Sequence, residues 1–202
     1  MYRFKTPALA KAFYASCVWS KPKKENKVYL TFDDGPHPKI TGEVLDLLKE
    51  FNAKATFFCV GENVAKHPET FQRILDEGHS VGNHTYNHLN GFETSKEEYI
   101  NNIKKADKLI SSSLFRPPYG KIKSGQLKAL KKDYQIIMWS LIAGDWDISL
   151  TKEQCFYAIK GNLKSGDIVV LHDSEKAYEK MIFTLEKTLE LAKHKGFELA
   201  KL

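Results

Sequence analysis

The chain has 202 residues, enough for one domain with a sizeable core. Hydrophobic residues make up 42% and charged residues 28%, the balance of an ordinary globular protein and not of a disordered one. The net charge of +6 comes from lysines scattered along helix-like segments, which reads as a solvated surface and not as a nucleic-acid-binding stripe; an anionic polymer partner stays open.

Residues 1–26 read as a lead-in segment that packs on the domain. Their apolar run is interrupted by Lys11, so it is neither a signal peptide nor long enough to span a bilayer. An amphipathic segment resting on a membrane is the weaker reading. The expected location is therefore cytoplasmic or loosely envelope-associated, with no stable membrane insertion. Cys17, Cys59 and Cys155 are odd in number and far apart, which argues against a disulfide scaffold or a cysteine metal site.

The domain proper, 27–202, opens with the strand-like run Val28-Tyr29-Leu30, which ends in Asp33-Asp34-Gly35-Pro36. Ile40, Val44, Leu47, Leu48 and Phe51 recur at helical spacing, and Ala55–Val60 reads as the second strand. Phe71, Ile74 and Leu75 mark a helix closed by Gly78, and His79–Asn83 is a short strand candidate. Ser95 and Glu98 form a capping box for a helix with apolar positions Tyr99, Ile103, Ala106 and Ile110. A strand over Ser113–Arg116, a helix over Ser124–Lys132 and a strand over Tyr134–Ser140 follow. Thr151 and Gln154 form a second capping box, ahead of Cys155, Ile159 and Leu163. Asp167–Leu171 reads as a strand, Tyr178 to Ala192 as the last helix closed by Gly196, and Phe197–Leu202 as a final strand. Alternation of strand and helix about seven times predicts an α/β fold, a distorted (β/α)7-8 barrel of TIM-like form, with an open doubly wound sheet second.

Five polar clusters each follow a strand end: DDGP, HTYNH, RPPYG, GDW and HDS. On a barrel, that is the rim where sites are built. His84 and His88 are four residues apart and share one face if the segment turns helically. The zincin pattern is excluded, because Thr85 stands where that motif has Glu. With Asp34 as third ligand they make a two-His, one-carboxylate set with open positions. Of the two adjacent aspartates, one would ligate the metal and the other act as base. Glycoside hydrolysis, the rival use of paired carboxylates, wants them further apart. Arg116, stiffened by Pro117-Pro118, would hold and aim Asp33; the bland alternative is a structural ion pair. A backbone N–H at Tyr119-Gly120 could face a developing oxyanion. His172, at a strand end, can serve as general acid, and Trp146 as the floor of a sugar pocket, with Trp139 read as core. His37, His67, His79 and His194 have no comparable setting.

In this order, TFDDGP, HTYNH, RPPYG, GDW and VLHDS resemble the motifs of the polysaccharide deacetylase family, carbohydrate esterase family four or NodB-like domain, over Lys27 to Leu202. The resemblance implies a metal-dependent deacetylase acting on N-acetyl, and in part O-acetyl, groups of amino-sugar polymers such as chitin oligomers or peptidoglycan, with zinc bound and cobalt as a substitute. It implies Asp33 as base, Asp34, His84 and His88 as ligands, and Arg116 as the residue orienting the base. It implies the Tyr119 amide as oxyanion donor and His172 as acid. Val170, Trp146 and Pro117 become the walls around the acetyl group. An acetylated carbohydrate is the expected partner, and the chain is expected to be a monomer. Two departures stand out. Ile142 replaces the first Asp of the family's Asp-x-x-Asp-Trp, which leaves Asp145 or Asp173 to tune His172, and Val170 replaces Leu. An amidohydrolase on small amides or imides, and a catalytically silent sugar-binding domain, are the rival functions.

Overall fold

The computed structural model describes residues 5–202; of the lead-in expected over 1–26, residues 1–4 lie outside the described residues. Eight parallel strands form one sheet: β1 (Lys27–Asp33), β2 (Ala55–Cys59), β3 (Ser80–Asn83), β4 (Leu114–Phe115), β5 (Gln135–Ile136), β6 (Leu141–Ile142), β7 (Ile168–His172) and β8 (Glu198–Leu199). Their order is β5-β4-β3-β2-β1-β7-β6, with β8 added to the start of β1. The sheet curls into a distorted (β/α) barrel whose ends, β5 and β6, do not pair. β1, β2 and β7 lie at its centre and bury nearly every residue, as parallel strands covered on both faces must.

The helices are α1 (Ala8–Phe13), α2 (Ile40–Glu50), α3 (Gly61–Lys66), α4 (Pro68–Asp76), α5 (Lys96–Ile110), α6 (Ser124–Leu130), α7 (Lys152–Lys160) and α8 (Tyr178–His194). Each long one buries a single stripe. In α8 it is Met181, Leu185, Leu189 and Ala192, and each buried Leu or Met contributes about 1.5–3 kcal/mol. Ser95 Oγ accepts from the Glu98 N–H at 3.2 Å to start α5, and Thr151 and Gln154 cap α7 reciprocally at 3.3 and 2.9 Å. Gly78 and Gly196, with φ of 77° and 69°, reverse the chain after α4 and α8, a conformation few other residues adopt without strain.

Three differences from the sequence reading have physical causes. The strand expected over 134–140 stops at Ile136, because the Ile137 and Met138 carbonyls turn to accept hydrogen bonds from Arg116 at 3.2 and 3.1 Å. The final strand pairs only at Glu198 and Leu199, alongside Lys27 and Val28. α3 has just six residues, too few to show a helical period.

The N-terminal segment bridges the unpaired ends of the sheet. Val18 exchanges hydrogen bonds with Ile136 and Met138 at 2.8 and 2.7 Å beside β5. Thr6 bonds to the carbonyls of Ser140 and Trp139 at 3.2 and 2.7 Å beside β6. Cys17, Cys59 and Cys155 are all buried free thiols. No helix among the described residues is long and apolar enough to cross a membrane.

Candidate active site

Asp33 is the last residue of β1, and Asp34 follows with φ of 84°. Neighbours on a regular strand point to opposite faces. The left-handed turn at Asp34 breaks that alternation, and both carboxylates line one cavity of about 440 Å3 at the C-terminal rim. The turn is pinned from below. Asp173 accepts the Gly35 N–H at 3.1 Å and the Thr41 hydroxyl at 2.5 Å. A Cβ on Gly35 would fall 2.0 Å from Asp173 Oδ2, so only glycine fits there. Burial, with Asp34 nearby, pushes the Asp173 carboxyl up to about 7.

Three metal-capable donors converge beside Asp33. One atom each from Asp34, His84 and His88 lies within 4.8 Å of the others. Asp34 Oδ1 is 3.2 Å from His88 Nε2 and 3.8 Å from His84 Nε2. Donors bound at about 2.0–2.1 Å around a tetrahedral ion stand about 3.3 Å apart, so the two Asp34 separations are of the size that a shared divalent cation needs. His84 Nδ1 lies 2.7 Å from the Arg116 carbonyl, which can only accept; the proton therefore sits on Nδ1 and leaves Nε2 its lone pair. Burial lowers the His84 pKa to about 4, which keeps the ring neutral as a ligand must be. At Asp34 burial works against ionisation, but the hydrogen bond from His88 and the charge of His172 outweigh it and hold the carboxyl well below the usual range.

The His84–His88 segment is an irregular loop, not the helical turn expected. Thr85 and His88 have φ of 67° and 58°. Asn83 Oδ1 accepts the Thr85 N–H at 2.8 Å, and Thr85 Oγ1 accepts the Leu89 N–H at 3.0 Å. The first N–H groups of α3, on Gly61 and Glu62, donate to the Thr85 and Tyr86 carbonyls at 2.9 and 2.7 Å. Asn63, also in α3, donates to the Asp34 carbonyl at 2.7 Å. A helix with no chemistry of its own thus ties both ligand loops together.

Arg116 is fully buried, and its guanidinium donates to Asp33 Oδ1 and Thr31 Oγ1 at 2.7 Å each. It also stacks 4.1 Å over the Phe58 ring, so its position is set on several sides. Across the cavity, His172 Nδ1 lies 2.8 Å from Asp145 Oδ1, and Asp145 Oδ2 accepts the His172 backbone N–H at 2.8 Å. Burial pulls the His172 pKa down, but the Asp145 charge and hydrogen bond, helped by Asp34 and Asp33, carry it up to about 9. Asp145, not Asp173, is therefore the residue that tunes this histidine. The Trp146 ring packs edge-on against it, centroids 4.7 Å apart.

Pro117, Tyr119 and Trp146 line the same cavity. Tyr119 has φ of 59° and sets its hydroxyl 3.2 Å from His88 Nδ1, a contact no spacing in the sequence signals. Val170, expected in the acetyl wall, is fully buried in β7 and is not among the residues lining the cavity. Trp139, read as core, and Ile142 do line it, together with Ser174 and Lys176 from the β7–α8 connection. Trp139 sits in the stretch that leaves the sheet after Ile136, and a strand period carried through that stretch misassigns its face.

Comparison with known proteins follows the same motifs. A family model described as polysaccharide deacetylase matches residues 20–135. The chain belongs to the polysaccharide deacetylase family. Among polysaccharide deacetylases, it is 38% identical over 188 residues to a peptidoglycan-N-acetylglucosamine deacetylase of Bacillus cereus, covering 89% of this chain and 88% of that one. It is 33% identical to a chitooligosaccharide deacetylase of Azorhizobium caulinodans, over 75% of each chain. The crystal structure of the Bc1960 peptidoglycan N-acetylglucosamine deacetylase superposes with a TM-score of 0.89 at 34% identity, covering 98% of this chain and 95% of that one.

Proposed function

We propose that this polysaccharide deacetylase hydrolyses N-acetyl groups on amino-sugar residues of a glycan and releases acetate. The observation that carries the reading is one cavity holding the Asp34, His84 and His88 donors, the Arg116-held Asp33 and the Asp145-held His172. Asp34, His84 and His88 would hold a divalent cation, which would supply Lewis acidity toward the acetyl carbonyl, with zinc first for a two-His, one-carboxylate set and cobalt second.

The chain's own groups then divide the proton work. Asp33 Oδ1 is taken by Arg116, so Oδ2 receives the proton of the attacking water as its oxygen bonds to the carbonyl carbon. The Tyr119 backbone N–H donates to the carbonyl oxygen as it gains charge. His172 Nδ1 is taken by Asp145, so Nε2–H protonates the sugar nitrogen as the C–N bond breaks. An amine leaves poorly unless protonated, and a histidine with a pKa of about 9 carries that proton at neutral pH. Pro117, Trp146, Trp139 and Ile142 exclude water around the acetyl group. The relatives' names favour peptidoglycan N-acetylglucosamine as first substrate and chitin oligomers as second.

The test measures acetate released from peptidoglycan, chitin oligomers, acetylated xylan and small cyclic amides, with zinc, cobalt or chelator added. Release from the amino-sugar polymers, abolished by chelator, is expected. Asp34→Asn and His84→Ala lose metal binding and turnover together, whereas Asp33→Asn keeps the metal and loses about 10²–10⁴-fold in rate. Full activity in Asp33→Asn would overturn the assignment of the base. Release from small amides alone would move the protein to another class of amidohydrolase, and sugar binding without acetate would make it a silent binding domain.

A further inference from the structure

The two histidines beside Asp34 are held by partners of different kinds. His84 Nδ1 faces the Arg116 carbonyl at 2.7 Å, and a carbonyl can only accept. His88 Nδ1 faces the Tyr119 hydroxyl at 3.2 Å, and a hydroxyl can donate or accept. Both rings present Nε2 to Asp34 Oδ1, His88 at 3.2 Å and His84 at 3.8 Å. The Tyr119 ring also packs edge-on against His88, with centroids 4.6 Å apart. Tyr119 is 62% exposed, so burial does not hold it there. Its place comes from the backbone. Pro117 and Pro118 stiffen the entry to the turn, and their carbonyls accept from the Gly120 and Lys121 N–H groups at 3.0 Å each. With φ of 59°, Tyr119 then lays its ring over His88.

The difference between the partners matters because His88 needs two tautomers. In the metal-free chain its Nε2 faces the Asp34 carboxylate, which can only accept, so Nε2 carries the proton and Nδ1 keeps a lone pair. A ring that gives Nε2 to a cation must carry its proton on Nδ1 instead. A carbonyl in place of the hydroxyl would set lone pair against lone pair in the first state. A hydroxyl serves both by turning its hydrogen. We propose that the Tyr119 hydroxyl positions His88 for the cation: it donates to Nδ1 while Nε2–H bonds Asp34, and it accepts from Nδ1–H when Nε2 turns to the metal. In that exchange the ring gives its Nε2 proton to water and takes one from water at Nδ1, so the proton count is unchanged, and the hydroxyl keeps its own hydrogen. Tyr119 acts here as a positioning residue, through His88. The proposal rests on the divalent cation of the deacetylase reading above and goes beyond it.

Tyr119→Phe removes the hydroxyl and keeps the ring and the backbone. Zinc affinity of the full chain is read by competition with a chromogenic chelator, with no substrate present. It is expected to fall about 10–100-fold, the usual effect of removing the outer partner of a ligating histidine. Tyr119→Ala, which removes the ring as well, should fall at least as far. NMR of the His88 ring nitrogens in the unaltered chain, which needs no variant, should show Nε2–H without zinc and Nδ1–H with it. The same tautomer in both states overturns the exchange, and so does equal zinc affinity in the unaltered and Tyr119→Phe chains. A loss in Tyr119→Ala with none in Tyr119→Phe would give the role to the ring and overturn that of the hydroxyl. An unaltered chain that binds zinc but frees no acetate strikes the deacetylase reading and leaves this proposal standing, whereas one that binds no zinc overturns both.

Discussion

Replacing Asp145 by Asn tests how the protein keeps His172 charged. Both oxygens of Asp145 are engaged, one by the imidazole and one by the His172 backbone N–H, at 2.8 Å each. An amide offers a single acceptor. If that oxygen keeps the backbone N–H, the NH2 faces Nδ1, where only neutral imidazole can accept. The charge and the hydrogen bond are lost together, and burial then acts on His172 with less to oppose it. The rise from 6.5 to about 9 corresponds to roughly 3 kcal/mol at 1.36 kcal/mol per pK unit, and Asp145 supplies the largest share. Without it the value drops to about 6.5 or below, so at pH 7.5 about one molecule in ten still carries the acid proton. The assay is kcat/KM for acetate release across the pH range in both proteins. The alkaline limb should move down by about 2.5 pH units or more, with a rate loss of about tenfold or more at pH 7.5 that acidification largely restores. A bound cation repels the imidazolium in both proteins, so the difference between them carries the test. Titration of His172 by NMR in the metal-free chains reads the same shift without turnover. The pair also stabilises the fold, because the folded chain holds this proton more tightly than the unfolded one. That stabilisation is complete below pH 6.5 and is lost as pH rises through about 9. An alkaline limb that stays in place, or an equal rate loss at every pH, would refute the reasoning.

Two further perturbations read the supports of the carboxylate turn. Arg116→Met leaves Asp33 buried without its partner and strips donors from Thr31, Ile137 and Met138; a loss of about 3–5 kcal/mol in denaturant unfolding is expected, partly regained by adding Asp33→Asn. A loss below 1 kcal/mol would make the pair dispensable to the fold. Asp173 holds its proton to about 7 in the folded chain against 3.8 unfolded, so it contributes a fall in stability as pH rises from 4 to 7. Asp173→Asn should lower the pH 4 to pH 7 loss in urea midpoint relative to the unaltered chain, and equal losses in both proteins would count against that account.

The barrel and most of the site were legible because their signals are local. Buried parallel strands show as apolar runs such as Val28–Leu30, and caps such as Thr151 with Gln154 act within four residues. Polar clusters at strand ends mark the rim, which brought into view before any geometry Asp33, Asp34, His84, His88 and His172, which line one cavity, and Arg116, which is bonded to Asp33. What escaped was set at a distance. The stop in the strand after Ile136 comes from Arg116, twenty-one residues away in sequence. Which of Asp145 and Asp173 serves His172 depends on which carboxylate reaches the ring and which is committed to Gly35 and Thr41. Val170 and Trp139 exchanged expected places because one lies in the middle of a regular strand and the other where regularity has ended.

Seven non-glycine residues among those described have positive φ, and their distribution separates structure from function. Asn26, Asn52 and Ser111 sit just past helix ends, where a left-handed residue is common and Asn tolerates it well. Asp34, Thr85, His88 and Tyr119 are at the site. Asp34 and His88 are among the donors that could hold a metal, the Tyr119 hydroxyl lies beside the His88 ring, and Thr85 shapes the loop between the histidines. Such residues cost about 1–3 kcal/mol each, so the surrounding structure must hold them. It does so through the α3 N-terminus, Asn63, Asn83 and Asp173, none of which lines the cavity. A regular strand and a helical turn would have cost less and pointed Asp33 and Asp34 apart. The strain is therefore what brings two adjacent carboxylates onto the same wall, Asp34 among the donors that could hold a metal and Asp33 beside them on Arg116, and the residues beneath hold that arrangement.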